Sequence, residues 1–208
     1  MAIVTRTVTL RPSGYPYYGG TFYNAGDWEP VYLSDNNDST ETRRVSSTAQ
    51  ASYHKFLDFT IPSTALIKSV QFCILGHRYD SSSNVAYKFN LLAADNIDAN
   101  TTGKTKIFAA DLVPDLVRYD SQSTGGTPNL KTISQSFTAE QSQQFLSSPY
   151  PSFYMYSKGA IVYNEIYLVF TYEVDESNKI FVGTTPIKDI YVGTTKASAV
   201  YVGTTKVM

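Results

Sequence analysis

Apolar and polar residues alternate along much of this chain, and the period is two. In residues 3–10, Val4, Val8 and Leu10 fall on one face of an extended backbone and Thr5, Thr7 and Thr9 on the other, as in a half-buried strand. Pro12 and Gly14 end that run, and a short strand is expected at 31–33. In SYHKFLDFTI the same period puts Tyr53, Lys55, Leu57, Phe59 and Ile61 on one face, until Pro62 stops it. Residues 67–75 and 85–92 predict two more strands, the second with Val85, Tyr87, Phe89 and Leu91 on one side. The middle of the chain, 93–127, is irregular and polar. It predicts long loops, with one helical turn near 109–113 ahead of Pro114.

Alternation resumes over 130–137, and Thr138 then opens a short helix. Thr-Ala-Glu-Gln forms a capping box in which Gln141 stands three residues after the cap, and Phe145 and Leu146 are placed to dock. Strands at 153–156 and 161–174 follow. The second of these, IVYNEIYLVFTYEV, is apolar on both faces, which predicts a central strand covered on both sides. Seven or eight antiparallel strands with no βαβ alternation predict an all-β, antiparallel two-sheet sandwich of jelly-roll type over residues 1–176.

Residues 177–208 follow a different rule. IFVGTTPIKD, IYVGTTKASA and VYVGTTKVM repeat every ten residues, with Gly183, Gly193 and Gly203 in register. Ile180 and Val182, Ile190 and Val192, and Val200 and Val202 are the apolar positions, with Phe181, Tyr191 and Tyr201 between them. Each unit predicts a short strand, a Gly-Thr-Thr turn and a second strand marked by Ile187, Ala197 or Val207. The tail is thus a ten-residue-period β-repeat. It folds back on the main domain as a meander, or it stacks against copies of itself in other subunits, because the 29 residues from Ile180 to Met208 make a poor core alone.

These YVGTTKV-type repeats resemble those at the ends of tailed-bacteriophage virion proteins, in fibres, baseplates and head decorations. The resemblance implies a non-enzymatic virion structural protein, made in the bacterial host cytoplasm and located in the virion. It would form a homo-oligomer through its repeats, a trimer by analogy with phage fibres. It would dock on other virion proteins, with a host surface glycan as a further partner. A second stretch, FLDFTIPSTALIKSVQFCILGHR at 56–78, is similar to jelly-roll modules of phage structural proteins and of bacterial surface and carbohydrate-associated proteins. It bears on fold, since Leu57, Phe59, Ile61, Ile67, Val70 and Phe72 are core positions.

Composition narrows the function further. Lys and Arg number 17 against 18 Asp and Glu, so no basic field draws the chain to nucleic acid. No apolar signal region and no run long enough for a membrane span is present, which predicts cytosolic synthesis and no membrane partner. Cys73 is the single cysteine, which excludes an internal disulfide, and its strand-like surroundings predict a buried, inert thiol. His54 and His77 are the only histidines and lack zinc spacing, so neither a metal nor a cofactor is expected. Seventeen tyrosines in a chain of low charge favour binding over catalysis.

Candidate chemistry is sparse. Asp27, Glu29, Asp58 and Glu165 could in principle form a glycosidase pair, but no motif marks them. Asp35-Asn36-Asn37-Asp38 has Thr40 where a calcium loop needs Gly and Ser46 where it needs Glu, so it is a solvated turn. The sequons at Asn37 and Asn100 carry no meaning without a secretory signal. Residues 13–28 gather Tyr15, Tyr17, Tyr18, Phe22, Tyr23 and Trp28 among glycines and prolines. Such a loop is a lid on the sandwich, a contact with a subunit or virion partner, or a platform for a glycan. Tyr15, Tyr17, Tyr18, Tyr23 and Trp28 are its candidate contact residues. Tyr150, Phe153, Tyr154 and Tyr156 form a second aromatic cluster with the same alternatives. A carbohydrate-binding module is the alternative to a structural protein, and a hydrolytic depolymerase has only generic carboxylates behind it.

Overall fold

A computed structural model of the chain describes residues 3–12, 17–18, 43–45, 50–56, 58–78, 86–95, 103–114, 116, 128–158 and 161–175. In the tail it describes 180–182, 185–187, 191–192, 195–196, 201–202 and 205–206. The strands before the tail are β1 (Ile3–Leu10), β2 (Tyr17–Tyr18), β3 (Arg43–Val45), β4 (Gln50–Lys55), β5 (Leu66–Arg78), β6 (Ala86–Ala94), β7 (Lys104–Lys106), β8 (Asn129–Ser136), β9 (Ser152–Lys158) and β10 (Ile161–Asp175). Helix α1 (Ala139–Leu146) joins β8 to β9.

The strands form two five-stranded antiparallel sheets. In the first the order is β1-β10-β5-β8, with β3 also paired to β10; in the second it is β2-β4-β9-β6-β7. From β1 to β10 the chain changes sheets at every step between successive described strands except from β6 to β7. This alternation, with β1, β10, β5 and β8 facing β4, β9, β6 and β7, is the jelly-roll order, and the all-β two-sheet sandwich expected from the alternation is the observed fold.

The core fills the space between the sheets. Ile67, Val70, Phe72 and Ile74 of β5 and Ile166, Leu168 and Phe170 of β10 meet Phe89 and Leu91 of β6 and Phe153 and Met155 of β9. The rings of Phe89 and Phe153 stack with centroids 5.6 Å apart, and Phe72 lies 6.2 Å from Phe153 across the sandwich. Aromatic side chains of this kind bury the largest areas in a core and pair favourably in such offset arrangements.

Two irregularities set which side chains of the long strands face inward. The register between β10 and β5 shifts between Tyr163 and Glu165 and again between Thr171 and Tyr172. At the first shift Tyr163 and Ile166, three residues apart, both reach the core; at the second, Ile67 and Val70 of the partner strand do the same. A bulge of one residue restores the alternation that a strict period of two would break. Near the first bulge the backbones approach closely. A β-carbon on Gly76 would lie 2.5 Å from the carbonyl oxygen of Val162, so only glycine fits there.

Helix α1 begins as expected. Thr138 accepts a hydrogen bond from the Gln141 amide, and the Gln141 side chain accepts from the Thr138 amide. Phe145 is fully buried and stacks on Phe170 at 5.9 Å. Buried Ser142 accepts a 2.8 Å hydrogen bond from the Ile67 amide, and the Gln141 side chain donates to the Ile107 carbonyl. The helix therefore supplies acceptors and donors as well as apolar cover.

Three expectations need correction. The strand expected to run to Ile61 ends at Lys55, followed by a bridge between Phe56 and Pro12. Its core face carries His54 and Phe56, so Tyr53 and Lys55 face outward; Leu57 lies outside the described residues. The buried His54, 6.3 Å from the Phe153 ring, is a polar residue on the core face, and that disguised the phase. Near 109–113 there is no helical turn. Phe89 and Leu112 exchange two backbone hydrogen bonds of 2.8 and 2.9 Å, and a ladder position satisfies those groups instead. The irregular middle also contains β7, paired to the end of β6. The expected strands at 31–33 and Val85 of the 85–92 run lie outside the described residues.

The tail holds three two-stranded hairpins: β11 (Ile180–Val182) with β12 (Thr185–Ile187), β13 (Tyr191–Val192) with β14 (Thr195–Lys196), and β15 (Tyr201–Val202) with β16 (Thr205–Lys206). Val182 pairs Thr185, Val192 pairs Thr195 and Val202 pairs Thr205, so the register repeats every ten residues. The second threonine of each pair thus belongs to a strand and not to the turn. Among the described residues no ladder joins one hairpin to another or to the sandwich. Gly183, Gly193, Gly203, Ile190, Val200, Ala197 and Val207 lie outside the described residues.

Candidate functional site

The outward face of the second sheet concentrates the polar chemistry. Pairing across its strands sets Tyr53 opposite Tyr154 and Tyr154 opposite Asn90; one step along, Tyr156 stands opposite Lys88. In the other direction Lys55 pairs Ser152, Ser152 pairs Leu92 and Leu92 pairs Lys106, with Lys104 beyond, opposite Ala94. Side chains at these positions share one face because each strand alternates.

Each of three tyrosines carries a lysine over its ring. The Lys106 ammonium is 4.5 Å from the Tyr154 centroid, Lys104 is 4.9 Å from Tyr53, and Lys88 is 5.8 Å from Tyr156. These are cation–π distances, at which the negative face of the ring attracts the charge. Under this cover Tyr53 is 6% and Tyr154 9% exposed, and both pack on Leu92 in a small apolar cluster separate from the main core.

Asp111 and Asn90 fix one side of the face. Lys106 reaches Asp111 at 2.8 Å, and the fully buried Asn90 amide donates to the same carboxylate at 3.1 Å and to the Phe108 carbonyl at 3.0 Å. The Asn90 side-chain oxygen accepts from the Phe108 and Leu91 amides. The Asn90 bonds to Phe108 and Asp111 hold the loop after β7 against β6 in a buried polar network. Burial alone would raise the pKa of Asp111, but hydrogen bonds from Lys106 and Asn90, with the Lys106 and Lys88 charges, hold it below the ordinary carboxylate range.

The Tyr53 and Tyr154 phenols are shifted upward. Burial, with the nearby Asp111 charge, pushes Tyr154 up to about 12, and burial raises Tyr53. The face thus offers ammonium groups, neutral hydroxyls and ring faces over a few strand spacings, and among its described residues it contains one carboxylate, Asp111. Such a surface suits recognition of an anion that also has apolar faces.

The residues singled out in the sequence distribute unevenly. Tyr15, Tyr23 and Trp28 lie outside the described residues, whereas Tyr17 and Tyr18 form β2, the edge strand that pairs Tyr53 and Ser52. The aromatic stretch therefore enters the sheet that carries the tyrosine face. In the second aromatic cluster, Phe153 faces the core, Tyr154 and Tyr156 face outward and Tyr150 is exposed. Asp58 is exposed in a loop while Glu165 is buried in β10, and Asp27, Glu29 and the 35–38 turn lie outside the described residues. Cys73 is buried in β5, where burial raises its thiol against a smaller opposing effect from Tyr167. Lys88, Lys104, Lys106 and Asp111 were not singled out; the alternation of Lys104-Thr105-Lys106 was the one sequence signal that could have marked them.

No protein-family model and no curated protein sequence matches the chain.

Proposed function

We propose that this chain is a non-enzymatic structural protein of a tailed-bacteriophage virion, a tail fibre, baseplate or head-decoration component that self-associates through its hairpins and serves attachment or docking. One observation carries the reading. Three hairpins recur in identical register, and each pairs only within itself among the described residues. A two-stranded hairpin is marginally stable alone in water, and its edges present unpaired backbone groups. Equivalent hairpins from other copies of the chain would satisfy both needs. Their order on the chain would then be repeated around a symmetry axis, which makes a closed homo-oligomer the natural assembly. The resemblance of the YVGTTKV-type repeats to those of phage virion proteins supplies the setting.

The tyrosine and lysine face favours a second reading, a carbohydrate-binding module, in which the sandwich is the functional part and the tail an appendage.

Native mass decides between them. The full chain and a version ending at Glu176 are compared by light scattering, with circular dichroism confirming that the shortened chain is folded. An oligomer that becomes a monomer on truncation supports the structural reading. Two monomers reject self-association through the tail.

A further inference from the structure

We infer that the outward face of the second sheet binds an acidic saccharide, with Lys55, Lys88, Lys104 and Lys106 meeting its carboxylates and the partly exposed ring of Tyr156 meeting the face of a sugar. The site stands on the geometry of this sheet and not on the oligomerisation of the tail.

Charge complementarity sets the sign of the ligand. Four lysines from β4, β6 and β7 share this face, and Asp111, at its loop edge, is already engaged by Lys106 and by Asn90. Exposed Asp95 lies past the end of β6, at the rim. The chain as a whole has a formal net charge of −1, so this cationic patch is local and not part of a general basic field.

The tyrosines set the class. Lysine ammonium groups resting on π faces are held near their working positions before any ligand arrives, which lowers the ordering cost of binding. When a carboxylate approaches, the Lys88 ammonium can leave the Tyr156 ring for a charge-assisted hydrogen bond, and the uncovered ring face then receives the C–H face of a sugar. A simple inorganic anion would use the lysines and leave the rings idle. Nucleic acid would need a longer basic track than four lysines on one short face provide.

The test uses the full chain and three probes of matched length: an oligogalacturonate, a neutral malto-oligosaccharide and an oligothymidylate. Binding is followed by calorimetry, with the Lys88→Gln/Lys104→Gln double variant, Tyr156→Ala and, as a distant charge control, Lys68→Gln. The expected result is binding of the oligogalacturonate alone. It should weaken by about tenfold or more in the double variant and in Tyr156→Ala, and change by less than about twofold in Lys68→Gln. Melting curves establish that the variants are folded, and the salt dependence of wild-type binding is read independently of them. No binding of the acidic probe, equal binding of the neutral one, equal binding of the oligothymidylate or an equal loss in Lys68→Gln each overturns the inference. A monomer that binds the acidic probe would reject the structural reading and leave this one standing; an oligomer that does not would do the reverse.

Discussion

Lys106 rests its ammonium 4.5 Å above the ring of Tyr154 while the same nitrogen reaches Asp111 at 2.8 Å. One side chain thereby links the outward tyrosine cluster to the loop after β7, and the protonation of Asp111 becomes a matter of local stability.

The folded state holds Asp111 below its ordinary value of 3.8, so the unfolded chain takes up the proton first as the pH falls. The stabilisation is complete above that value and is lost as the pH descends through the lower, folded one. Asp111→Asn should melt below the wild type at pH 7, with the gap closing under strong acid. Thermal melts over pH 7 to 2 measure this, and parallel curves for the two proteins would refute it.

Tyr154 behaves in the opposite sense. Its folded value of about 12 lies above the ordinary 10.0, so its contribution is complete below pH 10 and is lost as the pH rises towards 12. Tyr154→Phe, which has no proton to lose, should show a shallower alkaline decline in melting temperature. An unchanged slope would mean that other groups govern alkaline unfolding.

Gly76 is a point of close backbone approach in the first sheet. A methyl group there meets the Val162 carbonyl at 2.5 Å, backbone against backbone beside a bulge. Gly76→Ala should cost about 1–3 kcal/mol, the usual range for overpacking. Denaturant unfolding reads the loss, and a variant as stable as the wild type would show that β10 yields at no cost.

Two substitutions on α1 separate a cap from a buried acceptor. Thr138→Ala removes the exposed cap, worth about 1 kcal/mol. Ser142→Ala leaves the buried Ile67 amide without its side-chain acceptor, which costs about 1–3 kcal/mol. The ordering Ser142 above Thr138 is the expected result of urea melts; the reverse ordering would mean that water or a backbone shift rescues the Ile67 amide.

Much of the sandwich was legible in the chain. β1 and β8 follow the period of two, the long run apolar on both faces marked β10, and the Thr138 capping box with Phe145 behind it specified α1, because each signal is local. β4 was placed on the wrong face because His54 is buried and polar, and hydropathy assigns such a residue to solvent. β7 was missed because Lys-Thr-Lys contains no apolar residue; its place is fixed by backbone pairing to β6 and by the rings its lysines cover.

The sequence by itself determined the class of fold and the ten-residue rhythm of the tail, since strand periodicity and exact repetition are properties of neighbouring positions. Only the tertiary structure decided the tyrosine and lysine face. Tyr53, Lys88, Lys106 and Tyr154 come from four strands, and their meeting depends on strand order and register, which close contacts between residues far apart in the chain.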